Sequence, residues 1–129
     1  MTPVSEKEIE AVLRLDGPAR FKRFIKVVAD TEEAWGLWDD GWALLEDDSG
    51  AQVFPLWPAR EYAELCREPD WTNYKATPIA VDDLLSELLP KLRAQGILAG
   101  VFPTPTGRGT TPDLDTLESA LREELEQYE

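Results

Sequence analysis

At Glu33 the rhythm of apolar residues changes, and that change divides the chain. Before it, Phe21, Phe24, Ile25 and Val28 recur at helical spacing; after it, "EAWGLWD" and "WALLEDD" are short aromatic and aliphatic runs separated by Asp40 and Gly41. Asp-Gly between two such runs predicts a two-residue hairpin. A loop of two residues sets the register. Asp39 then faces Trp42, Leu37 faces Leu44 and Trp35 faces Glu46; Trp38 beside Ala43 and Gly36 beside Leu45 lie on the opposite side of the ribbon.

The flanking segments read as follows. "SEKE" offers a capping box in which Ser5 accepts from the Glu8 backbone, and Ile9, Val12 and Leu13 give a short apolar stripe. In "DGPARFKRFIKVVAD", Asp16 or Gly17 caps a stronger helix and Pro18 suits its first turn. "DDSG" (47–50) is a turn, and "AQVFPLW" a third strand in which Phe54 and Leu56 point opposite to Val53 and Trp57. Pro55 cannot donate to a ladder, which places it at an edge or near the strand's end.

"PAREYAELC" is a helix with Ala59, Tyr62, Ala63 and Cys66 on one stripe, and "ATPIAV" a short strand. "LLSELLPKLRAQG" is a leucine-rich helix that Pro90 kinks or interrupts and Gly96 terminates. "ILAGVF" is the last strand, and the last helix, begun at Thr111 and Pro112, carries Leu114, Leu117, Leu121, Leu125 and Tyr128. The expected architecture is one α+β domain over 1–129. It has N-terminal helices (1–30), a tryptophan-rich β-meander (33–58) and alternating helices and strands (59–129). Its largely antiparallel sheet of about five strands has helices packed mainly on one face.

Charge narrows the partners. Twenty-six Asp and Glu against 13 Lys and Arg give a formal charge of −13, a field that repels phosphate backbones and anionic headgroups. Neither nucleic acid nor a membrane is an expected partner. The basic cluster Arg20, Lys22, Arg23 and Lys26 reads as the solvated side of an amphipathic helix. A lone cysteine, no signal-peptide pattern and no run of 18 apolar residues suggest a cytoplasmic protein.

Chemistry is narrowed as well. The chain has no histidine, which removes Ser-His-Asp and Cys-His catalysis and most zinc sites. Cys66, on an apolar stripe, reads as a small buried hydrophobe. The pairs Asp39/Asp40 and Asp47/Asp48 read as solvated turn carboxylates, since adjacent strand residues point to opposite faces and "DDSG" lacks the ligand pattern of an EF-hand loop. No cofactor, metal or catalytic residue is expected.

Two places remain for a ligand. Four of the five tryptophans, Trp35, Trp38, Trp42 and Trp57, fall in the meander, and any that the helices leave uncovered form an aromatic patch rimmed by Asp39, Asp40, Glu46 and Asp47. Tryptophan anchors in an acidic rim suit a protein partner with a basic, apolar face. The alternative is a small-molecule or anion sensor built on the Pro103–Thr111 loop. There Thr104, Thr106, Gly107, Arg108, Gly109 and Thr110 precede a helix N-terminus, without a Walker pattern.

The run "RFKRFIKVVADTEEAWGLWDDGWALLEDDSGAQVFPLWPAREYAEL" and the later "GVFPTPTGRG" resemble the DUF2750 family of uncharacterised bacterial proteins, from about Arg20 to the end. That resemblance implies no activity and no site residues. The order of strand, helix, strand, leucine-rich helix and last strand is also similar, at the level of fold alone, to SseB-type domains, which are associated with secretion. Small size, acidity and this likeness make an immunity or secretion-accessory role one version of the binding-module reading.

Overall fold

The computed structural model describes residues 6–39, 41–46, 49–66, 73–103 and 111–127. The class is α+β. Two helices come first, α1 (Glu6–Leu13) and α2 (Gly17–Thr31). Asp16 caps α2 by accepting from the Ala19 N–H at 2.9 Å, and Pro18 occupies the first turn, where its missing N–H costs nothing. The helix ends at Glu32, in the left-handed region at φ 62°, whose N–H donates to the Val28 carbonyl. Phe24, Ile25, Val28 and Ala29 form its buried face. Ser5, the expected capping residue of α1, lies outside the described residues.

The strands are β1 (Glu33–Trp38), β2 (Leu45–Glu46), β3 (Gln52–Leu56), β4 (Lys75–Ala80) and β5 (Leu98–Val101). They form two small sheets, β1-β4 and β2-β3-β5. β1 runs antiparallel to β4, and β3 lies antiparallel to β2 and parallel to β5. One isolated bridge joins the two sheets, Trp35 opposite Trp57, with reciprocal N–H to carbonyl bonds of 2.8 and 2.9 Å. On β1, Ala34 and Leu37 face opposite ways and both are buried, so packing covers both faces there.

The hairpin register differs from the expected one. Trp38, not Asp39, pairs with Trp42, and the Ala43 N–H donates to the Leu37 carbonyl. The loop therefore has three residues, 39–41, with the Asp39 N–H donating to the Gly41 carbonyl. A shift of one residue exchanges faces, so Trp42 shares a face with Trp38 and Gly36, opposite Trp35. The second run also does not continue pairing with β1: after Trp42 the chain turns away, and Leu45 and Glu46 pair with Val53 and Gln52.

Pro55 sits second from the end of β3, a strand paired on both sides. The Leu56 carbonyl accepts from Phe102, on the β5 side, so its neighbour Pro55 turns its nitrogen toward β2. The β2 ladder has ended by then, at Val53, and the missing N–H leaves no bond unmade.

Helix α3 (Arg60–Leu65) follows, with Tyr62 and Ala63 buried and Cys66 just beyond it. After β4, α4 (Val81–Asp83) runs into a π-helical turn, Leu84–Leu88, and then α5 (Leu89–Gln95). Pro90 thus interrupts regular helix without breaking it. Its ring would meet the carbonyl four residues back. The widened turn, closed by the Leu89 N–H on the Leu84 carbonyl, makes room for that ring. Gly96 ends α5 at φ 69°, and the Ile97 N–H returns to Leu92 at 2.9 Å as a Schellman stop. The last helix, α6 (Leu114–Glu126), buries Leu117 and Leu121 and packs against α2 and α5. Arg93 of α5 bridges to Asp115 and Glu118 of α6 at 2.7 and 3.1 Å.

Candidate functional site

The tryptophans separate into core and surface. Trp57 is fully buried, and its indole N–H donates to the Pro103 carbonyl at 2.9 Å. A buried indole with its one donor satisfied is structural, so Trp57 leaves the candidate surface. Cys66 Sγ meets the same carbonyl at 3.4 Å. Burial pushes that thiol up to about 11, against a smaller downward pull from Trp57, which leaves an inert sulfhydryl. Trp35 is half-buried on the face of β1 opposite Trp38, packed against the core.

Trp38 and Trp42 make the surface. Their rings meet edge to face with centroids 4.9 Å apart and planes at 78°. Trp42 rests on Phe54 behind it, centroids 5.6 Å apart, so it is anchored to the core on one side. It also lies over Gly36, where the lack of a side chain leaves space for the ring. Trp38, at the end of β1, is 44% exposed, and Leu44 in the same hairpin is 36% exposed. Asp39, next to Trp38 in the chain, and Glu46 on β2 are exposed. Asp40 and Asp47 lie outside the described residues, as do Thr104, Thr106, Gly107, Arg108, Gly109 and Thr110 of the alternative loop.

Sequence reasoning missed the packing of Trp42 against Trp38. The signal was present in Gly36, which a bulky neighbour needs, and became readable only with the correct loop length. It also missed the entry to the Pro103–Thr111 loop. Phe102 is buried with φ 60°, a left-handed conformation costly for an aromatic residue, and its ring packs edge-on against Tyr62 at 4.8 Å. Nothing in the residue type announces such a conformation.

The anchored indole pair and the exposed Leu44 offer apolar area and ring faces, and the exposed Asp39 and Glu46 offer negative charge. Among the described residues, no group of three or more Cys, Asp or Glu stands as a metal site, and no helix is long and apolar enough to cross a membrane.

What the fold and this surface define is an α+β protein whose tryptophan hairpin is pinned to its core at one ring and open at the next. The chain belongs to the DUF2750 family: the model described as "protein of unknown function" matches residues 21–121, from within α2 to within α6. No curated protein matches the chain.

Proposed function

We propose that the protein is a non-catalytic binding module that docks a protein partner with a basic, apolar face through Trp38, Trp42 and Leu44. The observation that carries this reading is the exposure of Trp38, 44% open while fixed edge-on by an anchored neighbour. Exposing a large apolar ring is unfavourable for a protein alone, and a ring already held in place loses little entropy when a partner covers it. The formal charge of −13, with Asp39 exposed next to Trp38 in the chain, favours a cationic partner and faster encounter at low salt. A cytoplasmic immunity or secretion-accessory role is one form this module would take.

The test compares the tagged parent chain with Trp38→Ala and Asp39→Lys as bait in one lysate, with thermal unfolding of all three measured alongside. The reading requires a basic protein that the parent retains at low salt, that Asp39→Lys holds less well, and that Trp38→Ala loses while still folding. Equal capture by parent and Trp38→Ala overturns it.

A further inference from the structure

The basic residues of α2 are not all solvated. Lys22 and Lys26 are exposed, but Arg20 and Arg23 are half-buried and turn back toward α1. Arg20 Nη1 donates to the Leu15 carbonyl, in the turn between the helices. Arg23 Nη2 pairs with Glu8 Oε1 at 3.2 Å. The Nε of each arginine is buried with no hydrogen-bond partner. From α3, Tyr62 brings a third such group: the residue is 3% exposed, and its hydroxyl lies beside Arg23 without a hydrogen bond of regular geometry.

Three buried donors without acceptors are costly, and more so when two belong to guanidinium groups. Arg23 and Tyr62 share a neighbourhood, since burial chiefly raises the Tyr62 phenol, Glu8 raises it further and Arg23 lowers it; Arg20 lies one turn before Arg23 on α2. The acceptor that satisfies several N–H and O–H donors at once is a carboxylate, planar and matched to the arginine fork. A dianion suits the place less, because Glu8 and Glu61 both act on the same phenol.

The cover over this cluster is slight. Among the residues of α1 only Val12 is buried, and the Glu8 side chain is 44% exposed. Helix α1 also lies outside the residues that define the family match, whereas Arg23 and Tyr62 lie inside them. We propose that Arg23 and Tyr62, flanked by Arg20, form a carboxylate-binding site, and that α1 is a tethered cover whose Glu8 carboxylate occupies part of the ligand's place. A carboxylate from a free small acid or from the end of another chain displaces Glu8 and lifts α1. A tethered competitor acts at millimolar effective concentration, so the parent protein binds weakly until Glu8 is removed.

Sodium acetate is the probe, titrated at pH 7 into the full chain at constant ionic strength against sodium chloride, with thermal unfolding as the readout. Glu8→Gln is expected to gain a saturable rise in Tm, with the parent needing about tenfold more acetate for the same rise. Adding Arg23→Met or Tyr62→Phe to Glu8→Gln abolishes the response. Tyr62→Phe removes only a hydroxyl and keeps the test interpretable if Arg23→Met does not fold. No rise in Glu8→Gln beyond chloride, or an equal rise in the double variants, overturns the site. A tripeptide acid compared with its C-terminal amide separates the sources. An acid form effective well below acetate points to a chain end, and equal potency points to a free acid.

Discussion

The ring of Trp42 lies so close over Gly36 that a Cβ there would stand 3.0 Å from its Cζ3 atom. The glycine is therefore part of the surface although it contributes nothing to be bound. Gly36→Ala is expected to push the Trp42 ring outward, to cost about 1–2 kcal/mol through overpacking, and to shift tryptophan emission to longer wavelength. Urea unfolding and a fluorescence spectrum check both, and an unchanged spectrum would mean the ring has room that the structure does not show.

Trp38 and Trp57 are expected to differ in what their substitution costs. Trp38→Ala loses one edge-to-face contact on an exposed ring, about 1 kcal/mol, and leaves a folded protein. Trp57→Phe removes a buried donor from the Pro103 carbonyl and opens a void in the core, costing about 2 kcal/mol or more. Denaturant midpoints measured side by side should rank them clearly, and the reverse order would contradict the division into surface and core.

Glu32 holds a left-handed conformation at the end of α2 with an acidic side chain, where the helix dipole disfavours negative charge. Its main-chain bonds, the N–H to Val28 and the carbonyl from Val81, survive any side-chain change. Glu32→Gly relieves the backbone strain but loosens the unfolded chain; the net expectation is a gain of about 0.5–1 kcal/mol. A lower urea midpoint than the parent's would show that the Glu32 side chain contributes something unseen.

Cys66 governs part of the alkaline behaviour. Its thiol is raised from 9.0 to about 11 by burial, so the unfolded chain loses this proton first. The stability it contributes is full below pH 9 and falls as pH rises toward 11. Tyr62, raised mainly by burial, adds to the same decline. Cys66→Ala should flatten the loss of stability across this range without abolishing it. At pH 8 the native thiol should react with an aromatic disulfide reagent far more slowly than in denaturant, and equal rates would show that the site is open.

Local chemistry made the helix ends legible. Asp16 with Pro18 at the start of α2 and Gly96 at the end of α5 are where their residue types demand, because capping depends on neighbours within a few positions. Partners distant in sequence were not legible: β4 lies against β1 and β5 beside β3, and no local pattern encodes those pairings. The hairpin fell between the two. Asp40-Gly41 marked the turn, but loop length was decided by the packing of Trp42 over Gly36 and against Phe54, a tertiary contact. Trp42 therefore shares a face with Trp38, whereas the two-residue loop expected from Asp40-Gly41 put it with Trp35. The burial of Arg20 and Arg23 was missed because spacing shows which side of a helix is polar, not what later packs against it.

The turn over Leu84–Leu88 holds one residue more than an α-helical turn would. Deleting that residue would restore regular helix and keep the leucines before and after it in register, but would return a carbonyl to the place where the Pro90 ring must sit. The extra residue and the proline are thus tolerable together and costly apart. Across related chains they should be gained and lost as a pair, so that a helix shorter by one at this point also lacks the proline.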